Sequence, residues 1–372
     1  MASGTIFPPE ICAEICGRVV EPADLRALCL TSRSFRDEAE RVLYRSVDLQ
    51  WCSMRYLKSW CLAITRHAHL AKRVHALTLR LPNPLDASDA EKFSLALRRC
   101  VSLKDLAVFH EPDARPHNCV HGWIIQQCPF RLEKFTTSYF DPASIEQFWE
   151  TQTEIRWLSI SMPPAPRFEL SDTQLVNLIA IDAPMDNVLA LSGRRQLQRI
   201  QIHAQAMHNL QLSSLSQYSR TLTTLNLVVV HEETGFMRPH IFIKQVAVAL
   251  PNLIHFGLVV TGKSEYHSPE SFLILSLQHL ARLQTVVLET HGGYQFTNQA
   301  SITTATPARV KKFALSILEA CPTLRQAVVA IEAQDASARQ IACTLTRAPD
   351  GNIASEDGTT FDFETVSQFW KA

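Results

Sequence analysis

Apolar residues recur along most of this chain with one spacing: an apolar residue, two variable positions, a second apolar residue, one variable position and a third apolar residue, with a few polar or small substitutions. Ten copies begin at Val74, Leu103, Leu132, Ile155, Leu175, Leu197, Leu222, Leu253, Leu283 and Leu324. Successive copies start between 20 and 41 residues apart. Because side chains of a β-strand point alternately to its two faces, the end of each copy predicts a strand. The recurrence predicts a chain built from repeated units.

A stretch with the period of an α-helix precedes many of the predicted strands. The clearest such stretches span 90–100, 145–149, 242–250 and 310–321. Proline-bearing loops separate several units, and proline both lacks an amide donor and disfavours helix at the residue before it. Each unit is therefore expected to contribute one strand and one helix, which predicts an α/β protein.

The first 45 residues have a different pattern, which predicts three short helices. Helix starts are indicated at Pro8 and Pro9, at Asp24, and at Ser32 or Ser34. Ile11, Ile15 and Val19 form an i, i+4, i+8 apolar stripe on the first helix. A module of about 45 residues buries little surface. We therefore expect it to pack on the repeated units, on a partner, or on both.

Between about 47 and 345 the chain resembles leucine-rich repeat proteins. The helix-to-strand turns carry this resemblance most clearly, at 100–103, 250–253 and 321–324. The resemblance implies a solenoid whose strands form a parallel sheet on its concave face. Because the unit length varies, and the Asn or Cys that many families carry after the strand is absent, the solenoid is expected to be irregular.

The N-terminal module resembles an F-box. This resemblance rests on the stretches 7–11 (FPPEI), 24–30 (DLRALCL) and 32–35 (SRSF), and on an ending at 39–47 (AERVLYRSV) similar to that of fungal F-box proteins. It implies that the module binds the Skp-type adaptor of SCF cullin–RING ubiquitin ligases. The implied adaptor-binding residues are Pro8, Pro9, Ile11, Ile15, Leu25, Leu28, Leu30 and Phe35. The alternative is that these helices only cap the first repeat, as solenoids generally require.

These patterns divide the chain into a helical module at 1–46, a solenoid at 47–349 and a C-terminal cap at 350–372. After a polar loop, the last segment carries apolar residues suited to a strand and a short helix, namely Phe361, Phe363, Val366, Phe369 and Trp370. An exposed terminal repeat would offer unpaired backbone groups to other chains. We therefore interpret this segment as the cap that closes the array.

The composition narrows the class of protein. Among 372 residues, 36 Lys+Arg balance 36 Asp+Glu, which argues against a nucleic-acid binder that must neutralise phosphates. Hydrophobic residues make up 46%, enough for a sizeable core, but no run approaches the roughly 20 apolar residues of a membrane span. The start lacks the features of a secretory signal, and the ten cysteines are scattered. We expect reduced thiols and a cytoplasmic or nuclear protein.

One stretch matches a nucleotide-binding motif. Residues 257–264 (GLVVTGKS) fit the phosphate-binding loop G-x-x-x-x-G-K-[ST], which would use Lys263 and Ser264. However, Leu258 is in register with the repeated spacing, so a strand is expected there instead of a loop. Pro269 also restricts the helix that should follow such a loop. A nucleotide-binding protein is therefore the alternative function.

A group of possible zinc ligands is explained better by packing. His117, Cys119, His121 and Cys128 offer suitable donors, but their spacing fits no standard structural site. Cys128 lies near a predicted helix end, as Cys100 does, where a buried cysteine behaves as a small hydrophobe. No catalytic constellation is present, so the sequence predicts a protein that is not an enzyme and uses no cofactor or metal.

The variable positions between the apolar ladder residues of a solenoid face its concave surface. The candidate target-binding residues there are Arg80, Asp105, Phe109, Trp157, Arg199, Gln201, His203, His255 and Glu289. Tryptophan and arginine are enriched at interface hot spots, although Phe109 and Trp157 could instead pack on a neighbouring loop. The mixed charges favour a protein or peptide ligand.

Together these features predict a non-catalytic substrate-recognition subunit of an SCF-type cullin–RING E3 ubiquitin ligase. The N-terminal module would bind the Skp-type adaptor and the repeats an unknown protein target, with neither nucleic acid nor membrane as a partner. The alternatives are the nucleotide-binding protein and a leucine-rich-repeat scaffold without a ligase role.

Overall fold

The repeated apolar spacing forms β-strands that pair in parallel. The structure, a computed structural model, describes residues 7–82, 85–111, 121–161, 170–191, 195–204, 210–230, 239–261, 270–290, 306–331, 340–358 and 363. They belong to two units, Met1–Asn177 and Leu178–Ala372, called here the first and the second unit. Both units are mixed α/β.

In the first unit the strands lie side by side in chain order. They are β1 (Ser46–Leu49), β2 (Ala76–Leu81), β3 (Asp105–His110), β4 (Lys134–Thr137) and β5 (Trp157–Ile160). Parallel pairing aligns Leu77 with Leu106, Leu106 with Phe135, and Phe135 with Leu158. These are equivalent positions of the repeated motif, so the predicted strands are confirmed. β1 is an additional strand that the motif did not include.

The described part of the first unit has eight α-helices. They are α1 (Pro9–Arg18), α2 (Pro22–Leu28), α3 (Arg33–Arg45), α4 (Met54–Arg66), α5 (Ala68–Ala71), α6 (Ala87–Arg99), α7 (Trp123–Gln126) and α8 (Glu146–Thr151), with a 3₁₀ turn at Pro142–Ile145. Phe148 and Trp149 of α8 pack on Phe135 of β4, with ring centroids 5.3 and 5.7 Å apart. The motif residues therefore point toward helices. We call the opposite face of each sheet, which carries the variable positions of the motif, the inner face.

The second unit continues the same plan. Its strands are β6 (Ala180–Pro184), β7 (Arg199–Ala204), β8 (Thr224–Val230), β9 (His255–Thr261), β10 (Thr285–Thr290), β11 (Gln326–Ile331), β12 (Ile341–Arg347) and β13 (Ile353–Gly358). Its helices are α9 (Met185–Ala190), α10 (Pro239–Ala249), α11 (Glu270–Leu277) and α12 (Pro307–Ala320), with a 3₁₀ turn at Leu212–Tyr218. Strands β6 to β11 pair in parallel, each with the next.

The register of β6 corrects one predicted copy of the motif. Ile181 pairs with Ile200, so the equivalent of Leu197 is Leu178 and not Leu175. Leu175 has a φ of 51°, a left-handed conformation that strands do not use. Apolar residues at both 175 and 178 make the two registers hard to separate by spacing alone.

The parallel order ends at β11, earlier than the predicted solenoid boundary at 349. β12 pairs antiparallel with β11, and β13 antiparallel with β12. Only nine residues separate Ile331 from Ile341, fewer than the dozen or more that a parallel crossover needs. Gly351, in the turn between β12 and β13, has a φ of 88°, which favours glycine. The segment predicted as a cap therefore begins with a strand that pairs along β12.

Candidate protein-interaction surfaces

Helices α1 to α3 form a small core of their own. Its buried centre consists of Cys16, Leu25 and Ala39, surrounded by Val19, Leu28, Cys29, Phe35, Val42 and Leu43. Ser32 begins α3, where its hydroxyl accepts a hydrogen bond from the Phe35 amide at 3.3 Å. Asp24 does not begin α2 as predicted, because Pro22 occupies the first helical position after Glu21.

The face of α1 that packs inward differs from the predicted stripe. Cys12 and Cys16 are buried, whereas Ile11 is 45% and Ile15 is 37% exposed. α1 packs on α3, and the small side chain of Cys16 shares a buried core with Ala39 of α3. The branched side chains of Ile11 and Ile15 remain outside.

The structure separates the implied adaptor-binding residues into surface and core. Pro8, Pro9, Ile11, Ile15 and Leu30 are exposed, Leu28 and Phe35 are half-buried, and Leu25 is buried. Phe7 and Val20 add further exposed apolar side chains, and Leu30 is 83% exposed. We call Phe7, Ile11, Ile15, Val20 and Leu30 the N-terminal apolar surface. Five exposed apolar side chains in one small module favour a binding role, whereas single ones are common everywhere.

The N-terminal module also packs on the first repeat. α3 ends at Arg45 and β1 begins at the next residue, so the module runs directly into the sheet. Glu40 of α3 lies 3.4 Å from the guanidinium of Arg73, which also donates to the carbonyl of Asp37 at 2.8 Å. These contacts lie on the side of the module that faces the repeats, and they leave the N-terminal apolar surface uncovered.

The inner face of the first unit carries four of the predicted target-binding residues, Arg80, Asp105, Phe109 and Trp157, and each is half-buried. The Arg80 guanidinium lies 4.1 Å from the ring centroid of Trp51, which is 77% exposed. Trp51 lies outside the repeated motif, so the spacing gave no signal for it. An exposed tryptophan held by an arginine is well suited to contact a protein.

The surroundings of Asp105 on this face disfavour the ionised form of its carboxyl group. Burial raises the pKa of its carboxyl, and Lys134, 4.0 Å away, lowers it by less. A raised pKa in the folded state means that the protonated form is favoured there. Protonated Asp105 therefore contributes to the stability of the folded state below about pH 4. This contribution is lost as the pH rises through the folded-state pKa of Asp105.

We expect Asp105→Asn to raise the midpoint of thermal unfolding modestly at pH 7 and to leave it nearly unchanged at pH 3. The amide keeps the shape and removes the charge that burial disfavours at neutral pH. Thermal unfolding at the two pH values measures the difference, with Asp48→Asn on the exposed part of β1 as the control. A destabilised variant at pH 7 would contradict this account.

The inner face of the second unit differs from that of the first. Arg199 is half-buried and His203 is exposed, but Gln201, His255 and Glu289 are buried. These three residues are inaccessible in this conformation, and their role as target contacts stays a prediction. The spacing predicted their face of the sheet, but it contained no information on what covers that face.

The nucleotide-binding motif is only partly described by the structure. Residues 257–261 lie in β9, which confirms the strand expected there. Gly262, Lys263, Ser264 and Pro269 lie outside the described residues.

Cys128 is a packing residue. It is buried, and burial raises the pKa of its thiol to about 12, as it does for Cys100. Both thiols are therefore protonated at neutral pH, which confirms the packing interpretation of Cys128. Predicted features that lie outside the described residues are His117 and Cys119 of the possible zinc group and Phe361, Val366, Phe369 and Trp370 of the C-terminal segment.

Comparisons with known proteins add little to this description. No family model matches the chain, and no curated protein matches it. Among solved structures, the chain is similar to the protein in "Crystal structure of TLR13-ssRNA13 complex", with a TM-score of 0.40 and 14% identity over 72% of this chain and 34% of that one. The chain thus spans about a third of that structure's length. In the part of the chain that the structure describes, no helix has both the length and the apolar character to cross a membrane.

Proposed function

We propose that this protein is a non-catalytic substrate-recognition subunit of an SCF-type cullin–RING ubiquitin ligase. One observation carries the proposal: Ile11, Ile15 and Leu30 are exposed on a module whose own core is made by Cys16, Leu25 and Ala39. Internal packing therefore does not account for these apolar side chains. A partner that buries them would gain roughly 25 cal/mol for each Å² of apolar surface removed from water.

The inner face of the first unit supports the second half of the proposal. Arg80, Asp105, Phe109 and Trp157 are half-buried there, and the exposed Trp51 lies against Arg80. In this arrangement the module holds the adaptor and the inner face holds a protein target. The chain would accelerate ubiquitin transfer by proximity alone, because the chemistry takes place on other subunits.

A leucine-rich-repeat scaffold without a ligase role is the second candidate. The continuity of α3 with β1 and the contact of Glu40 with Arg73 favour it, because a cap needs only these contacts. A scaffold function gives no reason for the exposed apolar side chains of α1. Adaptor binding therefore separates the two functions.

The test is co-purification of the full chain with a recombinant Skp-type adaptor. We expect the Ile11→Asp, Ile15→Asp variant to bind at least tenfold more weakly, because two carboxylates would be buried against an apolar partner. Both side chains are exposed in the free chain, so its folding should not change. Leu62→Asp and Leu95→Asp, at exposed positions of α4 and α6, are the matched control. Absence of adaptor binding by the wild-type chain, or equal binding by the Ile11, Ile15 variant, would overturn the proposal.

A further inference from the structure

A cleft lies at the end of the second unit where β9, β10 and β11 begin and β12 ends. Its volume is about 740 Å³, within the range of about 300–1,000 Å³ that ligand pockets occupy. Ile254, Gln284 and Arg325 line it, each immediately before one of the parallel strands, and Arg347 is the last residue of β12. Neighbouring strands lie about 4.8 Å apart, so a cleft that crosses four strands extends over roughly 14 Å.

The described lining of this cleft is positively charged. It includes Arg282, Arg325 and Arg347, and no Asp or Glu is among the described lining residues. We therefore call it the arginine cleft. Asp350, the acidic residue nearest to Arg347 in sequence, accepts hydrogen bonds from the amide and the side chain of Asn352 at 3.0 and 2.7 Å. A concave site lined by one sign of charge attracts ligands of the opposite sign.

Two of the guanidinium groups are held in place by uncharged groups of the protein. Nη1 of Arg282 donates to Oδ1 of Asn252 at 2.9 Å. Arg347 donates to the backbone carbonyls of Leu318 at 2.6 Å and Pro322 at 2.8 Å. These acceptors position the two guanidinium groups without neutralising them. A side chain that is already ordered loses less conformational entropy when a ligand binds.

Arg325 is available for a ligand. It is exposed, and in the part of the chain that the structure describes no group accepts a hydrogen bond from its guanidinium or pairs with its charge. A guanidinium can donate two parallel hydrogen bonds to one carboxylate. The exposed hydroxyls of Thr323 and Thr346 belong to the same lining and add uncharged donors. The arginine cleft therefore offers hydrogen-bond donors as well as charge to an anion.

The corresponding end of the first unit has its charges paired. Lys104 and Glu133 come immediately before β3 and β4, as Arg325 comes immediately before β11. Nζ of Lys104 lies 3.4 Å from the carboxylate of Glu133 and 3.1 Å from that of Glu154. The repeated fold thus accommodates paired charges at this position. The unpaired arginine in the second unit is not required by the geometry of the repeat, which favours a binding role.

The placement of the charges favours an extended acidic segment over a single anion. Arg282 is attached to the turn before β9, whereas Arg347 is attached to the turn before β11. Side chains on one face of an extended segment repeat about every 7 Å, so two or more carboxylates of one segment fit along roughly 14 Å. Recognition of acidic motifs by clustered arginines is a recurrent mode of peptide binding.

We propose that the arginine cleft binds an acidic segment of a protein partner. Arg282 and Arg325 contact the carboxylates of that segment, and Arg347 supplies a fixed positive charge. The described lining includes neither the predicted target-binding residues nor the N-terminal apolar surface. The inference therefore goes beyond the proposed function and holds equally for a ligase subunit and for a scaffold.

Fluorescence anisotropy of the full chain tests the site. The probe is a fluorescein-labelled peptide of alternating Glu and Gly, and a Gln–Gly peptide of equal length is the control ligand. We expect the Glu peptide to bind at least about tenfold more tightly than the Gln peptide, and more weakly as NaCl is added. The variant Arg282→Gln, Arg325→Gln should lower the affinity for the Glu peptide at least about tenfold, because two charge-assisted contacts are lost.

The matched control is Lys244→Gln, Lys312→Gln, which removes the same charge at exposed positions of α10 and α12. It should change the affinity by less than about twofold, because distant exposed charges are screened. If the arginine variant does not unfold cooperatively, Arg325→Gln alone decides, since it breaks no described contact within the chain.

Three results would overturn the proposal: no binding of the Glu peptide by the wild type, an equal affinity of the wild type and the arginine variant, or an equal loss in the lysine control. Binding of inorganic phosphate or a phosphoserine–Gly peptide without binding of the Glu peptide would also overturn it. The adaptor is absent from this assay, so a failure here is distinct from a failure of the ligase function.

Discussion

Trp149→Ala should lower the free energy of unfolding of the first unit by about 3–5 kcal/mol, the range for removing a large aromatic side chain from a packed core. Trp149 is 1% exposed. Its ring packs on Phe135 and Phe148, with centroids 5.7 and 5.6 Å away, and its indole N–H donates to the Pro142 carbonyl at 3.1 Å. The substitution removes these ring contacts, leaves a cavity and deprives a buried carbonyl of its donor.

The free energy can be measured locally, from native-state hydrogen exchange of the β4 and β5 amides. Trp51→Ala is the matched control, because Trp51 is 77% exposed and its ring lies against the Arg80 guanidinium. We expect its cost to be below about 1 kcal/mol, the scale of an exposed cation–π contact. Equal losses in the two variants would contradict the packing described for Trp149.

Gln152→Leu should destabilise the same unit by about 2–4 kcal/mol, since each buried polar group left without a partner costs about 1–3 kcal/mol. Gln152 is fully buried between α8 and β5. Its Oε1 accepts from the amide of Leu132 at 2.9 Å, and its Nε2 donates to the carbonyl of Phe130 at 3.2 Å. Leucine fills similar space but satisfies neither backbone group.

The variant Gln152→Glu separates the contribution of the hydrogen bonds to stability from the contribution of packing. A protonated glutamic acid supplies one acceptor and one donor, whereas the ionised form cannot donate and carries a buried charge. Burial would raise the pKa of this carboxyl, so stability is present at low pH and lost as the pH rises through the folded-state pKa. Urea unfolding at pH 4 and pH 7 should therefore show a larger deficit at pH 7. A deficit independent of pH would argue against the assigned hydrogen bonds.

The sequence predicted the strands well because their signal is local. Leu77, Leu106, Phe135 and Leu158 align in register as the spacing indicated, and each owes its orientation to the alternation of its own strand. The sequence predicted that α3 begins at Ser32 or Ser34 for a similar reason, because an N-cap is recognised from a few neighbouring residues.

The roles of residues outside the repeated motif were predicted less completely. Gln152 and Trp51 lie outside the motif, so the sequence gave no signal for the hydrogen bonds of the first or the exposure of the second. For α1, the hydrophobic stripe was assigned to Ile11 and Ile15, but the smaller Cys12 and Cys16 are the residues that are buried. Which residues face α3 depends on how closely two helices approach, and that distance is a property of the packed module.

The sequence by itself therefore determined the alternation of strands and helices and which residues lie on each face of a strand, because both follow from periods of two and 3.6 residues along the chain. Only the tertiary structure decided which of those faces are accessible. Gly257 and Phe363 are more than a hundred residues apart in the chain, yet Cζ of Phe363 lies 3.2 Å from the position that a Cβ on Gly257 would take. The turn back from β11 to an antiparallel β12 was likewise decided by the length of a connection, and no periodic pattern records such a length.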